Sequence, residues 1–195
     1  MIEINSAWQE LKKQIENCRK CGLCETRHNV VPGEGPIEKC SVMIVGEAPG
    51  EDEDLSGRPF VGQAGQLLTL ILENGGKISR GSVYITNTIK CRPPENRNPA
   101  LNEIMACRDF LEAQMLLLSP KIVVTLGGVA TKALLGSTKG ITALRGQWFD
   151  WRGIKLLPMF HPSYLLRDPS RKKGSPKDLT WDDVRALKAK IDELS

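Results

Sequence analysis

No apolar run in this chain approaches the roughly 20 residues that a membrane-spanning helix needs, so no membrane association is expected. Residues 1–11 carry Glu3, Trp8 and Glu10 and lack the charged-then-apolar pattern of a secretory leader, which makes a cytoplasmic location the expectation. Internal repeats and low-complexity linkers are missing as well. At 195 residues the chain can bury a full core as one unit, so a single domain over residues 1–195 is expected. Neither sign of charge is in strong excess. The net charge of +4 is too mild for composition alone to argue for a nucleic-acid partner. Arg167, Arg171, Lys172, Lys173 and Lys177 do crowd one segment, although charge runs of this kind are commonly solvated surface. Histidine is scarce, with His28 in an expected loop and His161 near the C-terminal third. His28 reads as an ordinary surface or packing residue.

What is present has a clear alternation. Four apolar runs, at residues 41–46, 82–87, 122–126 and 154–160, have the length and β-branched content of buried strands. Helical spacing occupies residues 7–16, 63–73, 100–118, 129–135 and 181–194, with Ser6 and Thr180 as caps of the first and last. Strands alternating with helices predict an α/β fold, a parallel sheet sandwiched between helices. Residues 168–176 are polar and punctuated by Gly and Pro, which predicts a loop.

The stretch from Gly46 to Gly65 follows the apolar run Val42-Met43-Ile44-Val45 and ends where helical spacing begins. A strand that empties into a long loop and then a helix places that loop at the carboxyl edge of the sheet, where ligands of α/β proteins bind. Within it, Glu51 to Asp54 read as a solvated acidic run. Phe60 has the alternatives of core residue and stacking platform, and Asn87, closing the second run, is either a turn residue or an amide that pairs with a ring amide. His161 follows the fourth run in Phe160-His161-Pro162-Ser163-Tyr164-Leu165-Leu166-Arg167. Its two leucines are either core staples or wedges that enter a base stack.

Six cysteines in a chain without an export signal favour metal over disulfides. Cys18 and Cys21 form C-x2-C, Cys91 follows the second strand, and Cys107 lies on the helix beyond. These four can converge on zinc or an iron–sulfur cluster, and the wide spacing of the second pair leans toward a cluster. Cys24 is an alternative fourth ligand to Cys107. Cys40, isolated beside a strand, reads as a small buried hydrophobe.

Taken together, Gly46 to Gly65, the segment from Asn87 to Pro99 with Lys90-Cys91-Arg92-Pro93-Pro94, and His161 to Arg167 resemble the uracil-DNA glycosylase superfamily, specifically its iron–sulfur-bearing family 4. The resemblance implies a three-layer αβα sandwich around a central four-stranded parallel sheet. It implies a structural 4Fe-4S cluster on Cys18, Cys21, Cys91 and Cys107, leaving Cys24 idle. It also implies a monofunctional glycosylase that flips uracil out of single- or double-stranded DNA and hydrolyses its glycosidic bond. Phe60 would stack on the base, Asn87 would read its N3 and O4 edge, and Tyr84 with Gly46, Glu47, Ala48 and Pro49 would form the walls. His161 would donate to O2 of the departing base. Some branches of the superfamily carry an aspartate where this chain has Ala48, so Glu47 is the candidate for positioning water or stabilising the sugar cation. Ser163, Tyr164, Leu165, Leu166 and Arg167 would face the DNA. Residues 92–99 contain no histidine, so no covalent link to DNA is expected. A monomer is expected, with a replication sliding clamp left open as a partner and a nucleoid-associated location. The alternatives are a uracil-DNA sensor that has lost catalysis and, more remotely, a zinc-containing nucleotide binder on the same sheet.

Overall fold

The computed structural model describes residues 4–168, 170 and 172–194, so Arg171 of the basic run and Met1 to Glu3 lie outside the described residues. In chain order the elements are α1 (Ile4–Glu16), β1 (Val42–Gly46), α2 (Glu51–Ser56), α3 (Gln63–Leu70), β2 (Tyr84–Asn87), α4 (Leu101–Leu118), β3 (Ile122–Leu126), α5 (Gly127–Leu135), α6 (Ile141–Leu144), β4 (Phe149–Trp151), β5 (Ile154–Met159), α7 (Pro162–Arg167) and α8 (Pro176–Leu194). One further wide turn, Ile71–Gly75, prolongs α3.

The sheet has the order β2-β1-β3-β5-β4. Its first four strands pair in parallel, and β4 pairs antiparallel to β5. The expected four-stranded sheet is therefore corrected to five strands, mostly parallel. The extra strand is three half-buried or exposed residues long, too short to show a period. It is joined to β5 by Arg152-Gly153, both at positive φ, the conformation of a tight hairpin turn.

Alternation along the strands feeds two apolar layers. Met43, Val45, Val123 and Leu156 pack with α1 and α4 on one face, and Val42, Ile44, Val124 and Leu157 pack with α3 and α8 on the other. Both faces are buried, which explains why the central strands read as continuous apolar runs. Trp8, Leu11 and Ile15 of α1 recur at helical spacing and bury on the first face.

Three boundaries differ from expectation. α1 begins at Ile4, which places Ser6 inside the helix. α8 begins at Pro176, a residue suited to a first helical position because it has no N–H to leave unpaired, and Thr180 sits within the helix with Oγ1 donating to the Pro176 carbonyl at 2.7 Å. The acidic run is α2 rather than loop, closed by Gly57 at φ +70. Nor is it wholly solvated. Asp54 is 1% exposed and accepts from the backbone N–H groups of His28 (3.0 Å) and Asn29 (3.2 Å) and pairs with His28 Nδ1 at 2.9 Å. One carboxylate thus pins the segment before β1 to the loop after it, and His28 is an exposed surface residue paired with that carboxylate.

Removing that carboxylate strands several donors. Asp54→Ala should lower unfolding free energy by about 2–3 kcal/mol, a fall in melting temperature of roughly 5–10 °C for a chain of this size. Thermal and urea denaturation check this, and a change within about 0.5 kcal/mol would contradict it.

Candidate active site

The parallel register sets Gly46 opposite Asn87 at the carboxyl ends of β1 and β2. Beyond them opens a cavity of about 620 Å³. Glu47, Ala48 and Pro49 wall it after β1, Asn87 closes it at the end of β2, and Phe60 and His161 face it from the α2–α3 connection and the end of β5. The predicted groups are therefore brought together, with Gly46 packed behind Asn87 and Phe60. Phe60 is nearly buried and adopts φ +52, and its ring centre lies 5.7 Å from that of His161 with the planes tilted by 37°.

Asn87 is buried, yet its side-chain amide makes no hydrogen bond among the described residues, and Oδ1 is one of two orphaned buried polar atoms there. Leaving such an atom unpaired costs about 1–3 kcal/mol. A buried amide kept unspent in a cavity wall is suited to a ligand with complementary edges.

His161 caps α7 at its N-terminus. Its Nδ1 lies 3.2 Å from the Ser163 N–H and 2.8 Å from Ser163 Oγ. A backbone N–H only donates, so Nδ1 is the acceptor and the neutral ring carries its proton on Nε2. Burial, helped by the positive charge of Arg167, pushes the imidazole down to about 4. Burial also raises the Glu47 carboxyl above its ordinary range. The cavity therefore holds a neutral N–H donor and a carboxyl of increased basicity at neutral pH.

The thiols form a second pocket. Cys18, Cys21, Cys91 and Cys107 line it, with Cys24 beside them and Lys20, Arg27 and Lys90 around them. Arg27 donates to Cys91 Sγ at 3.0 Å and the Lys20 N–H to Cys18 Sγ at 3.4 Å. Cys40 is apart, buried beneath the sheet with its thiol on the Val42 carbonyl. Among the described residues no group of three or more His, Cys, Asp or Glu side chains is placed to hold a metal ion. Lys90 is nonetheless informative. It is 1% exposed, and its ammonium donates only to neutral acceptors, Thr86 Oγ1 and the Asn87 carbonyl, both at 2.7 Å. Among the described residues no carboxylate pairs with it. Burial pushes Lys90 down to about 8 and the Cys91 thiol up to about 11, and Cys91 and Cys107 oppose the first shift. Ionised thiols would offset both costs at once, and thiolates are the donors a soft metal centre requires.

A family model described as the uracil DNA glycosylase superfamily matches residues 32–185. The chain belongs to the uracil-DNA glycosylase superfamily. It is similar to the type-4 uracil-DNA glycosylase of Thermotoga maritima, 46% identical over 93% of each chain. The type-4 enzyme of Sulfurisphaera tokodaii is 43% identical over 87% of this chain and 80% of its own. A type-5 enzyme of Pyrobaculum aerophilum is more distant, 34% identical over 69% of this chain and 66% of its own. The superfamily match begins after Cys18 and Cys21, so it does not bear on that half of the thiol pocket.

Two residues expected at the glycosylase site lie elsewhere. Tyr84 is in the core beneath α1, edge-on to Trp8 at 5.4 Å, with its hydroxyl oxygen 3.3 Å from Gln114 Nε2. Tyr84 and Asn87 are three residues apart on one strand, so they face opposite sides of the sheet. Leu165 is 1% exposed in the core on the α3 side, which makes it a staple and not a wedge. Tyr164 and Leu166 are exposed, and Tyr164 and Arg167 reach the cavity rim. Ser163, expected toward DNA, lines the cavity and also orients His161. The segment after Cys91 was not foreseen as wall, although Pro93, Asn96, Arg97 and Asn98 line the cavity. The same strand-end rule that singled out Gly46 to Gly65 applies to it.

A histidine depressed to about 4 makes a specific pH signature. The unfolded chain takes up this proton near 6.5 and the native chain only near 4, so His161 contributes a loss of stability as pH falls through that window and none above it. Nitrogen-15 NMR of the ring should show the Nε2–H tautomer at pH 7 and a midpoint near 4, and a midpoint near 6.5 would contradict it.

Proposed function

We propose that this glycosylase excises uracil from DNA by hydrolysing the N-glycosidic bond of a flipped-out nucleotide, and that four of its six cysteines hold a structural 4Fe-4S cluster. The unspent Asn87 amide in the wall of a cavity shared with Phe60 and His161 carries the reading. Uracil in a duplex is stacked and paired, so its bond to the sugar becomes accessible only once the nucleotide swings out.

Uracil presents an acceptor at O4 and a donor at N3, complementary to the amide nitrogen and oxygen of Asn87. Cytosine presents the opposite pair, and against the amide as oriented it leaves donor facing donor and acceptor facing acceptor. Phe60 supplies a flat apolar platform for the ring. The cavity walls after β1 exclude the methyl group of thymine by shape.

Bond cleavage moves an electron pair onto the base and leaves a cation-like sugar. The Nε2–H of His161 donates to O2 as that charge grows, the kind of stabilisation that works best when the donor is fixed and dry beforehand. Glu47, its carboxyl made more basic by burial, orients the attacking water or stands against the sugar cation. Ala48 offers no polar atom for either task. Water supplies hydroxide to the sugar carbon, and its proton balances the departing uracil anion. Tyr164, Leu166 and Arg167 at the rim contact the strand, single or paired. Every group named comes from one chain, so a monomer suffices.

The thiol pocket fits a cluster in its donor set and in the cations around it. Cys18, Cys21, Cys91 and Cys107 would be the ligands, and a cluster bound there supplies a crosslink between the N-terminal segment, the end of β2 and α4 without entering the hydrolysis.

Purified protein should release uracil from single-stranded and U·G duplex DNA. His161→Ala should cost about 10²-fold or more in rate, and Asn87→Ala should fall sharply as well. Unchanged release in both would remove the site assignment, and tight salt-sensitive binding without release would support the sensor reading instead. Activity should rise with pH through the raised Glu47 pKa and stay level above it, because His161 is already neutral there. Glu47→Gln should lose about 10²-fold and that acid limb together. An anaerobic preparation should be brown with broad visible absorption, whereas a colourless one carrying zinc would overturn the cluster.

A further inference from the structure

The stacking platform is held in a conformation its sequence does not favour. Phe60 is a bulky residue at φ +52, left-handed backbone that costs an L-residue with a large side chain roughly 1–2 kcal/mol. Such strain persists only where the surroundings over-determine it. The surroundings include one side chain of the acidic run. Glu53 Oε1 accepts from the backbone N–H groups of Val61 at 2.8 Å and Gly62 at 2.9 Å, immediately after Phe60. Its Oε2 accepts from the Gly50 N–H at 3.0 Å, at the end of the wall formed by Glu47, Ala48 and Pro49. On the other side of Phe60, Arg80 Nη2 donates to the Pro59 carbonyl at 2.8 Å.

We propose that Glu53 is a positioning residue for base recognition: its carboxylate ties the Phe60 platform to the Glu47–Pro49 wall and so fixes the spacing between them. The proposal rests on the reading of the cavity as a uracil site. A carboxylate is suited to this because it has lone pairs for three donors, and hydrogen bonds from N–H to a charged acceptor are roughly twice as strong as neutral ones. No other side chain among the described residues bonds to both sides of the gap. The function follows from geometry. Without Glu53 three N–H groups lose their acceptor, the turn relaxes from φ +52 toward ordinary backbone, and the ring leaves the plane on which the base rests.

The test is a double-mutant cycle of Glu53 with Phe60, read by the affinity for free uracil and by single-turnover excision. Phe60→Ala should weaken uracil binding by about 10- to 100-fold. Glu53→Ala should weaken it comparably, and the double variant should be within about twofold of the weaker single variant, since the carboxylate acts through the ring. Glu53→Gln keeps an oxygen for Val61 and Gly62 and should lose less than about tenfold. At saturating substrate the acid limb of the rate should stay where Glu47 sets it in every variant. Losses that multiply in the double variant, or wild-type affinity in Glu53→Ala, would overturn the proposal. Should Glu53→Ala fail to fold, the cycle of Glu53→Gln with Phe60→Ala decides between the same two outcomes. A wild-type protein that neither binds nor releases uracil would instead overturn the functional reading itself.

Discussion

A Cβ placed on Gly46 would fall 2.3 Å from Asn87 Oδ1 and 2.5 Å from Phe60 Cζ, closer than real side-chain atoms approach. The absence of a side chain at the end of β1 is what lets the Asn87 amide and the Phe60 ring both close on this point. Parallel register makes Asn87 the residue opposite that gap, and a slip by one position would turn Asn87 to the other face of the sheet. A second glycine completes the arrangement. A Cβ on Gly65 would lie 1.8 Å from the Phe60 carbonyl oxygen, so α3 can start directly against the platform only with glycine there. Packing this close leaves Phe60 at positive φ, and Glu53 and Arg80 supply the bonds that hold it.

The same strand end reaches the thiol pocket. Within a few residues the chain passes from Asn87, which faces the cavity, to Lys90 and then Cys91. Lys90 returns its ammonium to the Asn87 carbonyl, so the main chain of the reading residue is anchored by the cation that lies against Cys91 and Cys107. Thr88 adds a further fixed point, its N–H and hydroxyl both donating to the Gly46 carbonyl at 2.8 and 2.9 Å. The Asn87 amide and the thiol pocket are thus two sides of one hydrogen-bonded turn. On the proposed function, the anchored main chain fixes where the Asn87 amide presents its edge to the base.

The parallel strands were legible because both faces are buried and each run is continuously apolar. Asn87 and His161 could be gathered from strand ends, since that rule depends on topology and not on contacts, whereas Phe60 stood between core and platform until the resemblance was drawn. What escaped needed three dimensions. The strand Phe149–Trp151 is too short for periodicity. Asp54 and Glu53 sit in an acidic run indistinguishable by composition from solvated surface, yet one is buried and the other chelates three backbone N–H groups. Tyr84 and Leu165 were placed at the site by the family resemblance. Strand alternation sends the first into the core, and the α7 turn does the same to the second.

In the proposed reaction the protonation of Glu47 and His161 decides how the pocket meets the charges that develop. Burial moves them in opposite directions, the carboxyl up and the imidazole down to about 4, so one mechanism sets both. The cation Arg167 contributes to the second shift, and bound phosphate would cancel part of that contribution. Burial is the larger cause, and a nucleotide filling the cavity removes still more water from the ring. On the proposed function, DNA binding leaves His161 neutral. In the proposed reaction a neutral donor stabilises the uracil anion by a hydrogen bond that strengthens as charge grows, while it places no positive charge beside the sugar cation that must form at the same moment. That combination explains why the site keeps its histidine dry and capped by Ser163 rather than paired with a carboxylate that would charge it.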